Sequence, residues 1–140
     1  MISSIEGTLA GVTESSVVVE VGGIGFEVFV PGRVVSSIGS AGSKVRLLTW
    51  LHVREDALVL FGFPSPRDRR IFLSLISISG IGPKVALGML ATCDSSEIAA
   101  MIHSGDSAGL VRLPGIGKKT DERIIVELKD SIEPAEVGAP

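Results

Sequence analysis

The sequence holds one cysteine, Cys93, and two histidines, His52 and His103, among its 140 residues. A lone cysteine closes no internal disulfide and supplies no thiolate cluster, which fits a reducing, cytoplasmic compartment. The histidines have no companions at triad or metal-ligand spacing, so no catalytic set, metal site or cofactor is expected. No apolar run approaches the roughly 20 residues of a membrane helix. Glu20, Glu27, Arg46 and Arg54 interrupt the most hydrophobic stretches, and membrane contact is not expected. The opening Met1-Ile2-Ser3-Ser4-Ile5-Glu6 has no basic segment followed by an apolar one, so no secretory leader is expected. Positive charge is also scarce: 13 Lys and Arg face 16 Asp and Glu, a net charge of -3. By total charge that is the wrong sign for a nucleic-acid binder. Any anion site must therefore come from local arrangement.

What is present points to a folded chain in two parts. A hydrophobic share of 45% and a mean hydropathy of +0.47 exclude wholesale disorder. Residues 17–21, 24–30, 44–53 and 57–61 read as strands, with 1–9 a weaker candidate. Ile24, Phe26, Val28 and Val30 share one face, with Gly25 and Glu27 on the other. Gly22-Gly23, Pro31-Gly32 and the 39–42 stretch are turn signals, and 33–38 is a helical turn. Five short strands so punctuated predict an OB-like five-stranded β-barrel over residues 1–63.

From residue 64 the period becomes helical. Ser65 precedes Pro66 and Asp68 as an N-cap, and Ile71, Phe72, Leu75 and Ile76 form one apolar stripe. Asp94-Ser95-Ser96-Glu97 caps a second run through Ile98, Met101 and Ile102, stopped at Gly105. A last helix from Lys118 carries Ile124, Ile125 and Leu128. The prediction is therefore β + α: a barrel over 1–63, an all-α domain over 64–132, and a linker-like tail over 133–140. Residues 1–63 hold four Lys/Arg and six Asp/Glu, net -2, and residues 64–140 nine and ten, net -1. Charge barely separates the halves.

A repeat carries the chemistry. Ser79-Gly80-Ile81-Gly82-Pro83-Lys84-Val85 recurs 35 residues later as Pro114-Gly115-Ile116-Gly117-Lys118-Lys119-Thr120. Upstream, Leu75-Ile76 matches Leu110-Val111, and Ile78 matches Leu113. Each copy reads as a helix end, a Gly-Ile-Gly hairpin and a new helix. Paired glycines permit torsions that side chains forbid and let another backbone come close. The new helix then offers unpaired amides and the positive end of its dipole, the natural seat of a phosphate. Lys84 and Lys119 at matching positions, with Lys118, add mobile charge. Such a contact reads backbone and is independent of base sequence. The alternative reading is a compact helical module for protein contact.

Two look-alikes fail. Gly117-Lys118-Lys119-Thr120 resembles a P-loop end, but Arg112 stands where the upstream glycine is needed, and a lysine intervenes before the threonine. Gly80-Ile81-Gly82-Pro83-Lys84-Val85 lacks the third glycine of a dinucleotide fingerprint.

The combination resembles the RuvA family, the Holliday-junction recognition subunits of bacteria. It is carried by Val53-Arg54-Glu55-Asp56-Ala57, Leu60-Phe61-Gly62-Phe63, both hairpins, and Glu122-Arg123-Ile124-Ile125-Val126-Glu127-Leu128. The resemblance spans residues 1 to about 132. It implies a non-catalytic DNA-structure-specific protein that holds four-way junctions open for branch migration in recombination and repair. The implied partners are junction DNA, further copies of the chain as a homotetramer or octamer, the RuvB motor and the RuvC resolvase. It places DNA contacts at Ser79, Gly80, Gly82 and Lys84 in the first hairpin. In the second it places them at Gly115, Gly117, Lys118, Lys119 and Arg123. Glu55 and Asp56 become an acidic pin that repels phosphates near the crossover, and negative pins can coexist with a basic DNA-binding face elsewhere.

Two departures stand out. Asp121 follows the second hairpin's threonine where the family commonly has a small residue, and an acid there competes with phosphate for the helix dipole. The chain also ends within what the family uses as a linker to a motor-binding domain, so coupling to RuvB is not expected of it.

Other residues keep two readings. Arg54 contacts DNA beside the pin or balances its acids, and Arg123 grips DNA or pairs with Glu127. Arg67, Arg69 and Arg70 read as a solvated helix face, and Cys93 as a small apolar filler. Trp50 and Phe26 read as core packing rather than base stacking. The functional alternative is a hairpin accessory domain of a repair nuclease or glycosylase, for which no catalytic cluster is present.

Overall fold

Five strands close into a barrel in the order β1-β2-β3-β5-β4. They are β1 (Ser4–Val12), β2 (Ser16–Val21), β3 (Ile24–Phe29), β4 (Lys44–Val53) and β5 (Leu58–Phe63). The structure, a computed structural model, describes residues 1–132, so the tail expected at 133–140 lies outside the described residues. Alternation drives the closure: Val17 and Val19 on β2, Val28 on β3 and Leu9 on β1 are all 0% exposed. With Val45, Leu47 and Leu60 they form one interior cluster. β3 pairs with β5 in parallel, Val28 opposite Leu60. A parallel pair cannot be joined by a tight turn. The chain between them supplies the short helix α1 (Gly32–Ser37) and all of β4.

Three local details differ from the reading above, each for a physical reason. The first strand starts and ends later than 1–9, because its β2 connection is built by side chains rather than by glycine. Thr13 Oγ1 accepts from the Ser16 amide at 3.0 Å, and the Thr13 amide donates to the Ser16 carbonyl at 2.8 Å. Ile24 leaves the shared apolar face and is 60% exposed. It follows the Gly22-Gly23 turn, whose φ values of 58° and 88° suit a two-residue hairpin that carries the strand end past the barrel. Arg69 is not a solvated residue: its Nη1 donates to the Ser3 carbonyl at 2.8 Å. It thereby ties the start of the next helix to the barrel, and the division into two compact units falls between Arg69 and Arg70.

The second unit is helical: α2 (Pro66–Ile76), α3 (Pro83–Thr92), α4 (Ser95–Ser104), α5 (Ser107–Val111) and α6 (Lys118–Leu128). The expected caps form. Ser65 Oγ accepts from the Asp68 amide at 3.2 Å, and Asp94 Oδ1 from the Glu97 amide at 2.8 Å. Gly105 ends α4 in the left-handed region at φ 69°. Ile71, Phe72 and Leu75 from the predicted stripe are buried, with Ile98, Ile102, Leu110, Ile124 and Leu128. His103 Nε2 hydrogen-bonds the Ile132 carbonyl at 2.8 Å, fastening the last described residue to α4.

Candidate nucleic-acid interface

The two Gly-Ile-Gly turns are built alike, bond for bond. In the first, the Ile78 amide donates to Leu75 O, Ile81 to Ile78 O, and Ala86 to Gly82 O, at 3.1, 3.1 and 3.0 Å. In the second, Leu113 donates to Leu110 O, Ile116 to Leu113 O, and Asp121 to Gly117 O, at 3.0, 3.3 and 3.0 Å. Ile81 and Ile116 are 4% and 6% exposed, each burial stabilising the hairpin by about 1.5–3 kcal/mol.

The glycines divide into two kinds. Gly80 and Gly115 lie at φ 97° and 78°, where a side chain is strained whatever the space. Gly82 and Gly117 lie at φ -92° and -91° with ψ 175°, extended torsions open to any residue. A Cβ added to either would meet nothing within 4 Å. The fold needs glycine at the first position of each pair but not at the second.

Both second glycines are N-caps, of α3 and α6, and neither helix has a side-chain cap. α2, α4 and α5 do, from Ser65, Asp94 and Asp106. Among the described residues, the N–H groups of Gly82, Lys84 and Val85 have no protein acceptor, and neither do those of Gly117, Lys118, Lys119 and Thr120. Lys84, Lys118 and Lys119 are exposed in the first helical turns, where a cation opposes the helix dipole. Open amides, no competing side-chain oxygen, missing Cβ atoms and lysines at a positive helix end form two ready-made anion seats.

The turns also pack reciprocally. A Cβ on Gly80 would lie 3.8 Å from Thr120 Oγ1, and one on Gly115 would lie 3.2 Å from Val85 Cγ1. Val85 and Thr120 are counterparts in the repeat, so the contact is isologous and the two seats are related by a local pseudo-twofold. Arg123 Nη1 reaches the Ser79 carbonyl of the opposite turn at 3.5 Å. No Arg123–Glu127 ion pair forms among the described residues. The Val85 and Thr120 seats escaped the sequence reading, although the 35-residue offset that pairs them was legible.

Asp121, the acid expected to compete with phosphate at the second turn, is 0% exposed, with Oδ1 accepting from Ser107 Oγ at 2.8 Å.

In the barrel unit, Glu55 and Asp56 occupy the tip between β4 and β5, closed by the Arg54 amide donating to Ala57 O at 2.9 Å. Arg54 Nε lies 3.8 Å from Asp56 Oδ1, both side chains largely in solvent, so the pair contributes little to stability. Val53 and Leu58, opposite each other at the base of this tip, are 67% and 71% exposed. Trp50 stacks on His52 at 5.0 Å and tilts against Phe61 at 5.7 Å, while Phe26 packs on the barrel core. Cys93 is half-buried and lines an open groove with Glu97, Met101 and Arg112 instead of filling a closed core. Among the described residues no cluster of three or more His, Cys, Asp or Glu could hold a metal ion, and no single helix is long and apolar enough to cross a membrane.

Comparison with known proteins covers both units. Residues 1–62 match the family described as RuvA N terminal domain, and residues 72–130 match the SAM-like Helix-hairpin-helix tandem. The chain is 45% identical over 139 residues to the Holliday junction branch migration complex subunit RuvA of Chloroflexus aggregans, covering 99% of this chain and 71% of that protein. It is 47% identical over 132 residues to the protein of the same name from Dehalococcoides mccartyi, covering 94% and 68%. The corresponding protein of Chloroflexus aurantiacus is 45% identical over 133 residues, covering 95% and 68%.

Proposed function

The chain belongs to the RuvA family, and from that premise we propose that it binds four-way DNA junctions and serves branch migration as the DNA-binding subunit. Motion and strand cleavage belong to other proteins acting on the same junction, a RuvB motor and a RuvC resolvase, and the chain itself cuts no DNA. Fourfold assembly would array its seats around the crossover, in the cytoplasm.

In this reading residues 64–132 are the grip. A phosphate of one strand enters the first turn against the amides of Gly82, Lys84 and Val85, with Lys84 beside it. A phosphate of the other strand enters the second turn against Gly117, Lys118, Lys119 and Thr120. The two strands of a duplex are themselves related by dyads, so the pseudo-twofold between Gly80/Thr120 and Gly115/Val85 suits gripping both rails at once. Nothing in either seat reads a base edge. Arg123, rooted on α6, braces the two turns through Ser79 O and brings its charge to the first. Residues 1–63 carry the pin: the exposed Glu55 and Asp56 repel any phosphate brought near them, which favours strands that part around the tip.

One observation carries the proposal. Gly82 and Gly117 have ordinary torsions, open space around them and unpartnered amides at uncapped helix starts. The absence of a side chain there serves an approaching ligand. The test is Gly82→Ala with Gly117→Ala. The fold should persist with a small change in melting temperature, because the gain of about 0.4–1 kcal/mol from restricting the unfolded chain is opposed by alanine's poorer fit at an N-cap, while binding of junction and duplex falls together. Unchanged binding would refute the phosphate seats. A competition between four-way junction and linear duplex tests the wider claim, which requires the junction to win.

A further inference from the structure

The two seats differ in the charge carried by their own helix starts. Lys118 and Lys119 open the second helix, while their counterparts at the first are Pro83 and Lys84; Arg123 reaches across to Ser79 O of the first turn. By its own first-turn lysines the second seat would hold its phosphate more tightly. Yet it also contains Asp121, whose counterpart in the first is Ala86. Both positions are 0% exposed, and both backbone amides make the first bond of their helix, to Gly117 O and Gly82 O. Asp121 therefore follows the last open amide, that of Thr120, by one residue, with its carboxylate turned inward to Ser107.

Its bonding is sparse. Ser107 Oγ donates to Oδ1 at 2.8 Å, while Oδ2 is buried with no hydrogen-bond partner and Asp121 makes no ion pair among the described residues. Ser107 in turn stands where the first copy has Phe72, so donor and acceptor appear together in the second copy only. Asp121 is the acid of the first turn of α6, and an acid there interacts favourably with the helix's positive end, the same potential a phosphate would use.

We propose that Asp121, anchored by Ser107, is a built-in attenuator of the second seat: its buried carboxylate offsets part of the pull of Lys118 and Lys119. The inference rests on the phosphate-seat reading above. Two seats of comparable, moderate strength suit a protein through which DNA must advance, because one dominant grip would hold the duplex in place. Being buried, the charge is screened less by salt than the exposed lysines.

The test uses Asp121→Asn, which keeps an acceptor for Ser107, and Asp121→Ala, which copies the first turn. Both should tighten binding of linear duplex and four-way junction together, by about two- to fivefold, mainly through slower dissociation. The ratio to the unaltered chain should persist as salt is raised. Unchanged or weaker binding in folded variants overturns the inference and makes Asp121 a core residue. Loss of the fold in both variants does the same. Neither outcome touches the seats themselves, which stand or fall on the Gly82→Ala, Gly117→Ala chain.

Discussion

At the residue scale, Asp121 and Ser107 show how a buried polar pair is tied to its position. Each replaces an apolar residue of the first copy, Ala86 and Phe72, and neither makes sense without the other. Ser107→Ala should leave both carboxylate oxygens buried without a donor and cost about 1–3 kcal/mol in a denaturant melt. Adding Asp121→Ala should recover most of that loss, because the orphaned acceptor goes too. If the double variant is as unstable as the single, the pair is not coupled. The same scale separates the glycines: Gly80 and Gly115 answer to their own positive φ, whereas Gly82 and Gly117 have ordinary torsions and open space around them.

At the scale of elements, α3 and α6 stand apart from their neighbours. α4 begins with a complete capping box at Asp94 and Glu97, and α5 with Asp106 capping Gly109. α3 and α6 begin with bare glycine and with lysine in the first turn, a poor electrostatic choice for helix stability. Reversing that choice should trade binding for stability. Lys84→Glu with Lys119→Glu should hold or raise stability in a denaturant melt, by about 0.3–1 kcal/mol for each helix end. It should also weaken duplex and junction binding alike and reduce the log-log salt slope by roughly one unit for each phosphate no longer gripped. A salt slope equal to that of the unaltered chain would count against both lysines as phosphate ligands.

At the scale of the whole molecule, the two units differ in where their charge lies as well as in fold. Net charges of -2 over residues 1–63 and -1 over 64–140 conceal an acidic tip on one unit and lysines at helix starts on the other. Total charge thus hides the local arrangement. Glu55→Gln with Asp56→Asn should keep or raise affinity for four-way junctions while narrowing their advantage over linear duplex, read in a competition gel. A sharp loss of junction affinity would mean that the carboxylates attract something instead of repelling phosphate.

Strand count, the capping sites, the Gly105 stop and the doubled turn were all legible in the sequence, because each depends on neighbours a few residues apart: period, cap oxygen, absent Cβ. The motif fixed which residues belong to the two turns, and even which positions correspond. What the sequence could not settle was every question of who faces whom across long separations. Arg69 reaching Ser3, Arg123 choosing Ser79 over Glu127, and Thr120 and Val85 each seated on the other turn's first glycine are contacts set by packing. Asp121 is the clearest instance. By position it is an acid in a first helical turn; its direction, inward to Ser107 and out of solvent, was decided only when α5 packed against α6 within the second copy.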